Sequence, residues 1–306
     1  MTDDRPVLGI IFMLLFCVIA PMGDAVAKLL GGHVPLGQLL LARFATQSIL
    51  LLPIVAQSGR LWRMSPRIFW LMVLRTLLHM SGIGFMFSAL RFLPLADATA
   101  IAFVMPFLML LLGKFVLHEE VGFRRLAACA VGFGGTLLVI QPSFASVGWP
   151  ALLPLGVAVV FSLFMLVTRQ LAKDTDPIGL QAISGVIACA IMLPVLLIGQ
   201  SNDIEILSLV APNLGDWLRL LAIGVLGTAA HLVMTWSLRY APAATLAPMQ
   251  YLEIPVATFV GWVIFHDLPN DEAAIGILIT IAAGLYIVLR ERAMARAMAR
   301  AAKSPG

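Results

Sequence analysis

The sequence predicts an all-α integral membrane protein of ten transmembrane helices, arranged as two five-helix repeats of inverted topology. Three observations carry that expectation: a composition too apolar for a water-facing surface, ten apolar runs of membrane-spanning length, and an internal echo at a spacing of 148 residues.

Of 306 residues, 61% are hydrophobic and 12% charged, and the mean hydropathy is +1.00. Soluble domains carry about 25% charged residues. The net charge of +4 does not point to nucleic acid. The Lys and Arg residues are spread over short connections between apolar runs and the C-terminal end, which is a topology pattern rather than a binding patch. Cys17, Cys129 and Cys189 each lie inside an apolar run, at no metal-site or disulfide spacing, and read as small packing residues. Neither a metal nor a cofactor is expected.

A bilayer core about 30 Å thick needs roughly 20 helical residues. Runs of that length fall at 7–30, 35–57, 68–90, 95–117, 123–141, 149–170, 178–199, 216–238, 243–265 and 272–290. Short Pro-, Gly- and Asp-containing segments separate them, such as Ser65-Pro66 and Asp174-Thr175-Asp176-Pro177. The runs are continuous rather than alternating, which excludes a barrel. The first run follows Thr2-Asp3-Asp4-Arg5, not a positively charged leader, and reads as a retained helix. With the N-terminus cytoplasmic, fifteen of the 20 Lys and Arg residues fall on inside segments and two, Lys28 and Arg91, on outside ones. That asymmetry predicts both termini inside. The basic, Ala-rich stretch after Arg290 reads as a cytoplasmic helix and topology anchor.

The echo pairs Arg91-Phe92-Leu93-Pro94 with Arg239-Tyr240-Ala241-Pro242. At the same offset Gly113 meets Gly261, His118 meets His266 and Glu119 meets Asp267; Pro106 and Pro255 match with a one-residue slip. This divides the chain into repeats 1–144 and 145–290, followed by a basic tail, 291–306. Five spans is an odd number, so the second repeat starts from the opposite side of the membrane. Inverted pairs place a substrate site near the midplane, between halves that rock against each other.

Several segments together resemble the drug/metabolite transporter superfamily, specifically its EamA-type ten-helix members. They are Asp24-Ala25-Val26-Ala27-Lys28-Leu29, Arg43-Phe44, Leu95-Ala96-Asp97-Ala98-Thr99-Ala100-Ile101, Leu117-His118-Glu119-Glu120-Val121 and Leu252-Glu253-Ile254-Pro255. His118 and His266 stand where that family usually has glycine. The resemblance covers nearly the whole chain. It implies secondary or facilitated transport of small metabolites, a group that includes amino-acid exporters and riboflavin and S-adenosylmethionine carriers. The Asp-Ala-x-Ala-Lys element leans toward the latter two.

Ionisable groups inside a bilayer are costly and normally face a bundle interior or a wet cavity. In the third span Arg75, His79, Gly82 and Met86 share one helical face, expected to line the cavity. Thr228, His231, Thr235 and Arg239 form a matching stripe in the eighth, and the two histidines are expected to meet. Gln250, Tyr251 and Glu253 supply polar groups in the ninth span. Phe103, Phe161, Phe164 and Trp236 are candidate stacking walls. Asp24 and Lys28, at i and i+4, are expected to pair with each other, with Arg43 beside Gln47 as a further structural or gating group. Asp97 reads as structural, at a helix start. Ala128 and Gly132, with Gly276, Thr280 and Gly284, predict that the fifth and tenth spans pack closely as scaffold, away from the substrate.

No Gly-x-x-x-x-Gly-Lys-Ser/Thr loop supports an ATP-driven pump, and no catalytic constellation supports a membrane enzyme. The sequence therefore predicts an alternating-access carrier of a small polar or zwitterionic metabolite, with a cavity lined by spans one, three, four, six, eight and nine. The alternative is a membrane-embedded receptor that binds without transport. The expected partners are the small-molecule substrate and the lipid bilayer; a homodimer stays open.

Overall fold

The computed structural model describes residues 5–58, 65–116, 123–241, 246 and 249–301. Among these the chain is helical, with no strand. Eleven helices are used below: α1 (Pro6–Leu30), α2 (Leu36–Gln57), α3 (Pro66–Ala89), α4 (Leu95–Ala102), α5 (Met105–Val116), α6 (Phe123–Val147), α7 (Leu153–Asp174), α8 (Pro177–Ser201), α9 (Leu214–Tyr240), α10 (Glu253–Phe265) and α11 (Asp271–Ala301). The turn residues start several of them. Ser65, Asp176, Asn213 and Asn270 each accept a hydrogen bond from a backbone N–H in the first turn of α3, α8, α9 and α11, which satisfies donors that a helix start leaves open.

Among the described residues, seven helices are long and apolar enough to cross a membrane, and Leu95–Met109 and Glu253–Phe265 are shorter apolar segments. Polarity is turned inside out. Val7, Ile11, Leu15, Val18 and Met22 form an exposed apolar stripe on α1, while Arg43, Gln47, Arg75, His79, Gln181 and Ser184 are buried in the bundle. Such a surface suits hydrocarbon and not water. The chain is a multi-pass membrane protein.

Two expected spans are not continuous helices. The 95–117 run breaks at Phe103–Val104, and the 243–265 run at Tyr251–Leu252. A proline follows each break, Pro106 and Pro255. Proline lacks the N–H that would continue the ladder and its ring crowds the carbonyl four residues back. The backbone tightens instead to three-residue bonds, Val104 N to Ile101 O (3.4 Å) and Ile254 N to Tyr251 O (3.3 Å).

The helices pack mainly as antiparallel pairs: α1 with α9, α3 with α7, α2 with α8, and α6 with α11. The last pair closes on small residues, as expected. A Cβ placed on Gly135 would sit 2.7 Å from the Gly276 carbonyl oxygen, so the two backbones touch. Thr280 Oγ1 donates across this seam to Gly132 O at 3.3 Å. The seam is not wholly remote from the centre, because Gly284 on α11 packs against the Tyr251 ring.

Candidate functional site

A cavity lies between α1, α2, α3, α4, α7, α9 and α10. About 90 Å³ of it is open to the centre of a water molecule. Its wall uses the later turns of α1 and α3 and the earlier turns of α7 and α9. Because α1–α9 and α3–α7 run antiparallel, these are all the same half of the bundle, toward the α1–α2 connection. The wall is mostly apolar, with aromatic faces from Phe16, Phe103 and Phe161. Its ionisable groups are Asp24, Arg43, His231 and Glu253.

Beneath the cavity is a layer of packed rings. His79 stacks on Phe164 with centroids 4.5 Å apart and an interplanar angle of 18°. It lies 4.2 Å from the His231 ring, and Phe44 meets it edge-on at 5.3 Å. Arg75 sits over the Phe164 face at 4.7 Å, donating from Nε to Thr168 Oγ1 (2.9 Å) and from Nη1 to Ser184 Oγ (2.7 Å). Among the described residues, Arg75 Nη2, both His79 nitrogens and His231 Nε2 are buried without a hydrogen-bond partner. Each such group costs roughly 1–3 kcal/mol.

Arg43 ties the cavity to this layer. Its Nη1 donates to Gln47 Oε1 (3.2 Å), and its Nη2 reaches Gly227 O (3.1 Å) and His231 Nδ1 (2.8 Å). His231 Nδ1 also stands 3.0 Å from Gly227 O; it accepts toward the guanidinium, which only donates, and donates toward the carbonyl, so its two contacts call for opposite tautomers of the ring. Gln181 extends the network, donating to His231 O (2.7 Å) and Thr235 Oγ1 (2.9 Å) while its own carbonyl accepts from Gln47 (2.6 Å).

The residues singled out from sequence therefore separate into groups. Gly82, Phe103, Phe161, His231, Glu253, Asp24 and Arg43 stand on the cavity wall. Arg75 and His79 share a buried face with Gly82 and Met86, but lie below the cavity rather than on its wall, because the cavity occupies only one half of the bundle. Thr228 is turned onto its own helix, donating to Gly224 O at 2.6 Å. Trp236 packs on Phe12, centroids 5.5 Å apart, in the closed half. Gln250 donates to Met165 Sδ at 3.3 Å, and Tyr251 is held against Phe103 and α11.

The expected Asp24–Lys28 pair does not form. Lys28 Nζ instead pairs with Asp267 at 2.8 Å and lies over the Phe265 ring. The end of α1 meets the α10–α11 connection, and a carboxylate there outcompetes one a turn below. Asp97 takes a hydrogen bond from Ser143 at 3.0 Å. Among the described residues no cluster of three potential metal ligands occurs; His118, Glu119 and Glu120 lie outside them. Sequence reasoning missed Phe16 and Thr99 on the wall. The signal was present for Phe16: with Ala20, Gly23 and Asp24 it makes one helical face of α1.

Comparison with known proteins gives a consistent picture. The sequence model of the EamA-like transporter family matches twice, at residues 7–141 and 148–290. An S-adenosylmethionine uptake transporter of Rickettsia prowazekii is 25% identical over 284 residues, covering 93% of each chain. A riboflavin transporter of Brucella anthropi is 27% identical over 249 residues, covering 81% of this chain and 86% of its own. A solved crystal structure shares the fold with a TM-score of 0.70 at 20% identity, spanning 95% of this chain and 100% of that one.

Proposed function

The chain belongs to the EamA-like transporter family, and on that premise we propose that it carries a small polar or zwitterionic metabolite across the bacterial inner membrane by alternating access. The observation that carries this reading is a cavity shared by helices of both halves and shut off on one side by the His79–Phe164–His231 layer. Pockets for drug-sized ligands are about 300–1,000 Å³, so a cavity of about 90 Å³ must widen to take a metabolite. Helix movement is then part of loading.

In this reading the chain has ten spans, in inverted repeats 1–144 and 145–290 with a basic tail 291–306, and cytoplasmic termini. Helices α4 with α5, and residues 243–265, are interrupted spans. Three observations favour it. The breaks at 103–104 and 251–252 are 148 residues apart, the spacing of the sequence echo. Exchanging the halves turns the α1–α9 pair into α7–α3 and returns α2–α8 and α6–α11 to themselves. Arg91 donates to Val34 O just before α2, and Arg239 to Thr175 O just before α8. The wall residues Gly82, Phe103, Phe161, His231 and Glu253 contact substrate. Arg75, His79, Thr228, Trp236, Gln250 and Tyr251 belong to the path that opens on the other side.

Flux into proteoliposomes tests this, using labelled S-adenosylmethionine, riboflavin, and neutral and aromatic amino acids. Saturable uptake of one compound is expected. Specific binding without flux would replace the carrier by a receptor.

A further inference from the structure

The seam between α6 and α11 changes character along its length. Where it is tight, a Cβ on Gly132 would stand 3.5 Å from Ala283 Cβ, and one on Gly135 would stand 2.7 Å from the Gly276 carbonyl oxygen. Toward the start of α6 it opens outward into a groove of about 520 Å³. Ala128 and Ala283 are buried in the floor, while Phe123, Val131 and Tyr286 stand exposed along the rims. Water is absent from the bilayer core, so an apolar groove there takes hydrocarbon. Its end is basic. On α11, Ile279, Ala282, Ala283 and Tyr286 line the groove, and Arg290 follows on the same face, four residues after Tyr286. On α6, Arg124 precedes Ala127 and Ala128 by three and four residues. The two helices are antiparallel, so each step back on α6 is a step forward on α11. From the Gly132–Ala283 contact, that register sets positions 124 and 125 level with 291 and 290. Arg124, Arg125 and Arg290 therefore share one height, at the end of both apolar runs. Among the described residues Arg290 has no hydrogen-bond or ion-pair partner. Stretches 119–125 and 290–300 together hold six arginines against three glutamates, Glu119, Glu120 and Glu291.

We propose that this groove binds an anionic glycerophospholipid, with an acyl chain on the Ala128–Ala283 floor and the phosphate at the end where Arg124 and Arg290 stand. Basic pockets between helices at the membrane surface suit such headgroups, and a guanidinium fork matches phosphate oxygens. Phe123 and Tyr286 fall at headgroup level, where aromatic rings collect. Charge complementarity selects this occupant over a second copy of the chain. A two-fold axis along the membrane normal would set one arginine end against the same end of its partner. The site lies outside the central cavity and rests on the membrane bundle, not on the carrier reading.

The test uses full-length protein in detergent, with phosphatidylglycerol or phosphatidylethanolamine of the same acyl chains added, and counts bound lipid by mass spectrometry of the intact complex. One phosphatidylglycerol per chain is expected, held about fivefold or more tighter than the zwitterionic lipid. Arg290→Gln and Arg124→Gln, checked as monodisperse, are each expected to weaken phosphatidylglycerol about fivefold and to leave phosphatidylethanolamine unchanged. Ala282→Phe, which fills the groove and keeps every charge, should weaken both lipids. Arg67→Gln at the start of α3 removes the same charge elsewhere and should change neither. Equal retention of the two lipids, retention of neither, or equal loss in Arg67→Gln overturns the site. So does a dimer that Ala282→Phe dissolves, which would give the groove to a second copy. Flux plays no part in this readout, so a failed carrier reading leaves it standing.

Discussion

The α6–α11 seam and the central ring layer are both buried helix contacts, yet they are built on opposite rules. At the seam, glycines let the backbones touch, and Thr136 and Thr280 hydroxyls all find carbonyl oxygens. At the centre, aromatic rings fill the space between α3, α7 and α9, and Arg75, His79 and His231 keep buried nitrogens without partners. A contact with every polar group satisfied and no room to slide has little to gain from opening. A contact holding unsatisfied polar groups gains hydration when it parts. The difference teaches which surfaces stay together in a moving bundle and which come apart.

The strongest way to break this comparison is at the seam. Gly135→Val drives a side chain into the Gly276 carbonyl, which cannot rotate away, and is expected to cost about 3 kcal/mol of stability. Thermal unfolding in detergent should show a clear fall, while the protein that survives keeps wild-type substrate affinity. Unchanged unfolding would mean that the seam is looser than its geometry implies.

The central layer should behave with the reverse sign. His79→Phe keeps the stack on Phe164 and removes two unpartnered nitrogens, so stability is expected to rise by about 1–2 kcal/mol. Flux should fall, because a dry ring gains nothing from wetting; losing about 1.4 kcal/mol of that drive is a tenfold drop. Paired unfolding and flux measurements check this. Lower stability with undiminished flux would make the layer ordinary packing.

The smallest effect lies outside both regions. His266 ends α10 with φ 56°, in the left-handed region that favours glycine at a helix end. His266→Gly is expected to stabilise by about 0.5–1 kcal/mol with flux unchanged. It sets the scale for a purely local change, against which the other two are read.

This position also shows how far the sequence could be read. The apolar run read from sequence stops at 265, just before His266, which stands where related proteins usually have glycine, and the structure supplies the backbone angle that explains the preference. Seven of the ten apolar runs as helices of membrane-spanning length, the turn residues that start α3 and α8, and the small-residue contact of α6 with α11 were likewise legible, since each depends on neighbours within a turn or two. The prolines at 106 and 255 were visible, but not that the helix breaks before them. A kink, a break or a distorted continuous helix all satisfy the same local rule, and packing selects among them.

The candidate site was legible in residue type and not in depth. His79 and His231 were expected to meet, and they do; that both Arg75 and His79 fall below the cavity depended on how far α3 slides along α7. Asp24 shows the same limit. Its spacing to Lys28 suggested a pair within one helix, and the structure gives Lys28 to Asp267, 239 residues away, freeing Asp24 for the wall. By itself the sequence determined the apolar spans, the small-residue contact surface and the set of polar side chains placed inside the bundle, because helical periodicity and hydrophobicity act over short separations. Only the tertiary structure decided which polar groups are paired, which are left open and which border the cavity, because those outcomes depend on the relative height of helices far apart in the chain.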